Sequence, residues 1–181
     1  LCTALAEVVE GEGASAHARK FEYLRLAGLT EEPTVHVEPA LLDARNHLAF
    51  HRASELQRWR IERQPEDADT RGLRSQLAEF EAATGRHEVA AKILQEIASE
   101  FDAGLERTRA LGDEAEAWFY AGKLPEAEKA LEEALAYFGE RYVSSGSSGV
   151  FESVIDRWER LRFRNLVPLE KLEDKSLTGE A

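Results

Sequence analysis

Apolar residues recur along this chain at three- and four-residue steps, and no run of Val, Ile or Thr alternates strictly with polar residues as a half-buried strand would. The spacing predicts an all-α chain. Leu1 to Glu10 and Ala14 to Leu29 read as two short helices parted by Gly11-Glu12-Gly13, the second with Ala14, Ala18, Phe21 and Leu24 on one stripe. Leu29 to Pro33 reads as an exit and turn, Thr34 to His36 as extended, and Pro39 as the opening of a new helix. Leu41, Ala44, Leu48, Ala49, Leu56 and Trp59 then predict one long helix to about Arg63, stopped by Gln64-Pro65-Glu66-Asp67.

The next stretch repeats itself. Placing Gly85 over Gly122 superposes Ala78 on Ala115, Ala90 on Ala127 and Leu94 on Leu131. Each unit reads as a helix ending at a glycine, a turn of two or three residues, and a second helix. Antiparallel helices joined so tightly need small residues where they cross, and the four alanines supply them. Gly85 and Gly122 suit the left-handed backbone that ends a helix. Leu77, Leu94, Trp118, Leu131 and Leu135 are the larger residues expected to fill the space within and between hairpins, and a hairpin of this kind buries its faces only by stacking on neighbours.

Leu111, Ala115, Trp118, Ala127, Leu131 and Ala134 stand at the spacing of the tetratricopeptide repeat family, and residues 68–141 resemble it. The earlier unit keeps Leu77, Ala78, Ala90 and Leu94 but has Glu81 at the aromatic position and Ile97 where Ala is usual. The resemblance implies antiparallel helical hairpins in a short right-handed solenoid with flanking helices. The organisation expected is an N-terminal helical segment (1–66), hairpin repeats (67–143), a linker (144–149) and a C-terminal segment (150–181). In that family the first helix of each hairpin lines a concave groove. Carried over, this implies Ser75, Glu79, Ala82 and Ala83 in one unit and Arg109, Gly112, Glu116, Phe119 and Tyr120 in the other as partner-binding positions. The Lys and Asn positions with which one subgroup clamps chaperone tails are missing, and Glu79, Asp113 and Glu116 make the groove acidic. A basic or amphipathic helix is therefore the partner expected.

Ser144 to Gly149 is Ser-Ser-Gly written twice, the composition of a flexible linker. Beyond it Val150, Val154, Ile155, Trp158 and Leu161 share one face of a predicted helix to about Leu166, with Arg157, Arg160, Arg162 and Arg164 dispersed elsewhere. That segment reads either as a cap on the last hairpin or as a tethered ligand for the groove. Glu173 to Ala181 reads as a polar, frayed tail.

Composition narrows the function. Of 181 residues 43% are hydrophobic, enough to fold, and the formal charge of −12 disfavours nucleic acid or an anionic membrane as partner. One cysteine, Cys2, fits a reducing, cytoplasmic setting, and no apolar run reaches membrane-spanning length. The lack of any Met, initiator included, suggests a fragment, a processed chain or an engineered one. Candidate chemistry is sparse. Asp43, His47, His51 and Glu55 stand four apart on the predicted long helix and could bracket a metal, yet Leu48 occupies the place of a catalytic Glu, and carboxylate–imidazole pairing on a solvated face is preferred. Gly11-Glu12-Gly13 follows a helix, not a strand, so neither dinucleotide nor phosphate-loop geometry is expected. The reading is a non-enzymatic protein-interaction scaffold without cofactor or metal, the alternative being the helical sensor part of a larger transcription regulator.

Overall fold

The computed structural model describes residues 14–28 and 34–139, and every regular element among them is an α-helix. They are α1 (Ala14–Leu26), α2 (Thr34–Asn46), α3 (Phe50–Ile61), α4 (Arg71–Ala83), α5 (His87–Glu100), α6 (Leu105–Tyr120) and α7 (Leu124–Ala136). The chain forms two compact units that divide at Ala90/Ala91, inside α5. None of the described helices is long and apolar enough to cross a membrane. Leu1 to Gly13, Leu29 to Pro33, and everything from Glu140 on, including the Ser-Ser-Gly repeat and the Arg-bearing amphipathic segment, lie outside the described residues.

The single long helix expected from Pro39 to Arg63 is in fact two. The chain breaks at His47–Ala49, where Leu48 adopts φ 55°. The Leu48 N–H bonds the Arg45 carbonyl at 3.0 Å and the Ala49 N–H bonds the Ala44 carbonyl at 2.8 Å, the paired bonds that close a helix through a left-handed residue. Gly85 and Gly122 close α4 and α6 with the same two bonds, at φ 80° and 74°. Glycine takes that conformation without a Cβ clash, whereas leucine does so at a cost of about 1 kcal/mol. An apolar periodicity that runs through a turn conceals it. Thr34 to His36, expected to be extended, form the first turn of α2, and Pro39 lies inside that helix rather than near its start. The carbonyl that Pro39 leaves without a donor belongs to Val35, a residue 74% exposed, so water can take the bond.

Identifying Leu48 as a turn residue extends the repeat. The first helices end at Asn46, Ala83 and Tyr120 and the second helices begin at Phe50, His87 and Leu124, each set stepping by 37 residues. Ala53, Ala90 and Ala127 occupy one position in the three second helices, and Ala16 of α1 stands a further 37 residues back. All four are buried. The helix ends away from the turns hold that step less strictly: α4 opens at Arg71, 37 residues after α2 opens at Thr34, but α6 opens at Leu105, only 34 residues after α4, and the second helices end at Ile61, Glu100 and Ala136, 39 and 36 residues apart.

In the first unit α1 packs on α2, α2 on α3, and α3 on α4. Their core joins Phe21, Val37, Ala40, Leu41, Ala44, Ala53, Leu56, Trp59 and Phe80, with Phe21 edge-on to Trp59 at 4.9 Å between centroids. Arg63 lays its guanidinium 3.9 Å over the far reach of Trp59, shielding that ring from water. Asp69, which accepts the Arg71 backbone N–H at 3.1 Å, fastens the start of α4. In the second unit α6 and α7 pair as a hairpin around Leu111, Ala115, Trp118, Ala127, Leu131 and Ala134.

Candidate functional site

The carried-over groove positions separate into two sets. On α4, Ser75 and Ala82 are half-buried while Glu79 and Ala83 face solvent. On α6, Arg109 faces solvent, Gly112 is buried, and Glu116 and Phe119 are half-buried. Tyr120 is 60% exposed, with its ring 5.6 Å from that of Phe119. Trp118, one residue before, is buried and directs its indole N–H to Glu114 at 3.1 Å. Helical geometry explains the split, since residue 118 lies on the core side while 119 and 120 turn progressively outward.

Stepping back 37 residues from Ser75, Glu79 and Ala82 gives Glu38, Leu42 and Arg45 on α2, and all three line a cleft of about 690 Å³. Its walls are α2, through Pro39, Leu41 and Leu42, and α4, through Leu73, Gln76 and Phe80; His17 of α1 and Arg60 of α3 complete it. Leu41 and Phe80 are buried and make its floor, whereas Leu42 stands 54% exposed at its rim. Glu38 and Arg60 form an ion pair. These cleft residues on α2 went unread in the sequence because Leu48 hid the turn that phases them. The signal was present as Ala53, 37 residues before Ala90.

Beside the cleft, His17 and His36 approach through their Nδ1 atoms at 2.8 Å, so one ring offers a proton and the other a lone pair. Burial, followed by the charges of His17 and Lys20, holds His36 below the ordinary imidazole value. The other histidine pairings follow the solvated-face reading: His47 lies 3.5 Å from Asp43 and His51 lies 3.6 Å from Glu55. The break at Leu48 puts His47 in the turn and His51 in the next helix, so the four groups do not form the single stripe expected. Among the described residues no three His, Cys, Asp or Glu side chains come together as a metal site.

Glu81 occupies the place that Trp118 takes in the next hairpin, and it is fully buried. Ser54 Oγ and Arg58, the latter at 2.7 Å, donate to its Oε1, and Arg86 closes an ion pair on Oε2. Burial alone raises this carboxyl, but those hydrogen bonds and the two guanidinium charges outweigh it, so the net shift is downward. Charge here replaces an aromatic ring. Glu114 in the second unit is the converse. It accepts from Gln95 at 3.0 Å and from Trp118, both neutral donors, and burial leaves its carboxyl above the ordinary range. It lines a smaller cavity of about 220 Å³ with Arg107, Glu126, Lys129 and Glu133.

The charge of Glu81 is thus offset by structural partners, whereas Glu114 meets neutral donors. Of the two cavities described, the α2–α4 cleft is the larger, and it sets charged groups at the edge of a floor made by Leu41 and Phe80. No protein-family model matches the chain, and no curated protein matches it either.

Proposed function

We propose that the chain is a non-catalytic scaffold of tetratricopeptide type, working in the cytoplasm, which binds a helix or peptide of another protein along the first helices of its hairpins. The carrying observation is the α2–α4 cleft, in which buried Leu41 and Phe80 lie beneath an exposed Leu42. Open apolar clefts rimmed by a few polar groups are the usual form of a recognition site. The 37-residue register supports the reading, because it sets Glu38, Leu42 and Arg45 on α2 at the positions of Ser75, Glu79 and Ala82 on α4. Phe119 and Tyr120 on α6 offer rigid aromatic contact area of the kind that anchors partners.

Selection of random 12-residue peptides displayed on phage tests the proposal. Enriched peptides should bind the Leu42→Gln variant, or the Phe119→Ala, Tyr120→Ala pair, about tenfold more weakly, in keeping with loss of an anchor contact. Leu42 and Tyr120 are exposed, so circular dichroism should show unchanged helicity. Failure to enrich any peptide, or equal binding to both variants, refutes the groove.

A further inference from the structure

We propose that the α2–α4 cleft selects partner segments in which a bulky apolar residue is flanked by Asp or Glu, a preference opposite to the basic partner that Glu79, Asp113 and Glu116 imply. The inference rests on the cleft's being the binding site.

Its ground is which charges at the cleft are already neutralised. Glu38 is held by Arg60. His17 spends its Nδ1 on His36. Gln76 gives its Oε1 to Gln57 Nε2 at 3.2 Å, which leaves its own amide N–H groups able to meet a peptide carbonyl. Arg45 lines the cleft, faces solvent, and pairs with no carboxylate among the described residues. The uncompensated charge at this site is therefore positive, on a chain whose total is −12. Long-range repulsion from that total falls off over about 10 Å at 0.1 M salt, so at contact the near charge decides.

An apolar anchor seated over Leu41, Leu73 and Phe80 brings its flanking residue to a rim where a carboxylate meets Arg45, and where a Lys meets Arg45 as a like charge. Glu38 offers that Lys only its second oxygen, on a carboxylate whose charge Arg60 already offsets. Recognition then has three parts: an apolar floor for affinity, the Gln76 amide for the peptide backbone, and Arg45 for choice of partner.

The test uses synthetic peptides with amidated C-termini, so that only side-chain carboxylates are present. Each carries a central Leu, Phe or Trp flanked by Glu, Gln or Lys, and binding is read by fluorescence anisotropy at 0.05 and 0.3 M salt. Glu-flanked peptides should bind about three- to fivefold tighter than Lys-flanked ones at low salt, the range of an exposed ion pair, and the ratio should shrink at high salt. Arg45→Glu should invert the order, and Arg45→Gln should abolish it. Binding indifferent to the flank, or a preference that survives Arg45→Gln, overturns the selectivity and leaves the groove standing. No binding by any apolar-anchored peptide overturns the groove reading and the selectivity together.

Discussion

Replacing Glu81 by Ala should be among the most damaging single substitutions in the first unit. The carboxylate is fully buried and carries Ser54, Arg58 and Arg86. Removing one member of a buried ion pair costs about 3 to 5 kcal/mol, because the charge left behind is uncompensated. The guanidinium side chains here are 49% exposed at Arg58 and 38% at Arg86, so both can regain water once freed. That places the expected loss at the lower end, about 3 kcal/mol, with the unfilled space included. Urea unfolding followed by far-ultraviolet circular dichroism reads the loss, and amide hydrogen exchange on α3 and α4 localises it. The pH dependence supplies a second check. The Glu81 carboxyl is lowered in the folded chain, so its stabilisation is complete above the unfolded carboxylate value and is lost as pH falls through the folded one. The difference between wild type and Glu81→Gln should accordingly close in acid. A loss under about 1 kcal/mol at neutral pH, or one independent of pH, would refute the reading of Glu81 as the keystone of that network.

Glu114→Gln should do the reverse and stabilise the second unit by about 1 kcal/mol at neutral pH, since the amide oxygen still accepts from Gln95 and Trp118 while a buried charge without a cationic hydrogen-bond partner disappears. Its carboxyl is raised, so the wild type loses stability as pH climbs through the interval between the unfolded and folded values. The gain from Gln should thus vanish below the ordinary carboxylate range, and a gain that persists there in thermal melts would contradict the assignment. At Leu48, which is 72% exposed with φ 55°, Gly should raise the melting temperature slightly and Val should lower it, a spread of about 1.5 kcal/mol where an ordinary surface site tolerates either change. Equal melting of Leu48→Val and the wild type would show that the turn is not held in the left-handed region.

Helix existence and much of the core were legible because burial forces apolar spacing, and the Gly85 and Gly122 turns were legible because a glycine marks them. Leu48 makes the same turn with a side chain that signals helix, so one hairpin read as a single rod and the α2 wall of the cleft was missed with it. Glu81 stands where the repeat spacing puts Trp118 in the next hairpin, for a reason invisible along the chain: its partners Ser54 and Arg58 lie more than twenty residues away on α3. Isolated, it looked like a defect in a weak copy. Phe119 and Tyr120 come from the carried-over groove positions, and of the two Tyr120 is the exposed one, but the unneutralised Arg45 emerges only once Glu38 is seen bound to Arg60.

The strict register at the turns, set against the drift at the opposite helix ends, decides where this chain can change length. One residue inserted between a turn and its crossing alanine rotates that alanine by about 100° and drives a larger side chain into the crossing. The same residue inserted near Asp102 to Leu105 meets no such lock, and there α6 already starts three residues ahead of the 37-residue step. Insertions and deletions among descendants of this sequence should therefore collect between hairpins and spare the Leu48, Gly85 and Gly122 turns. Each hairpin would be inherited whole while the spacing between hairpins drifts.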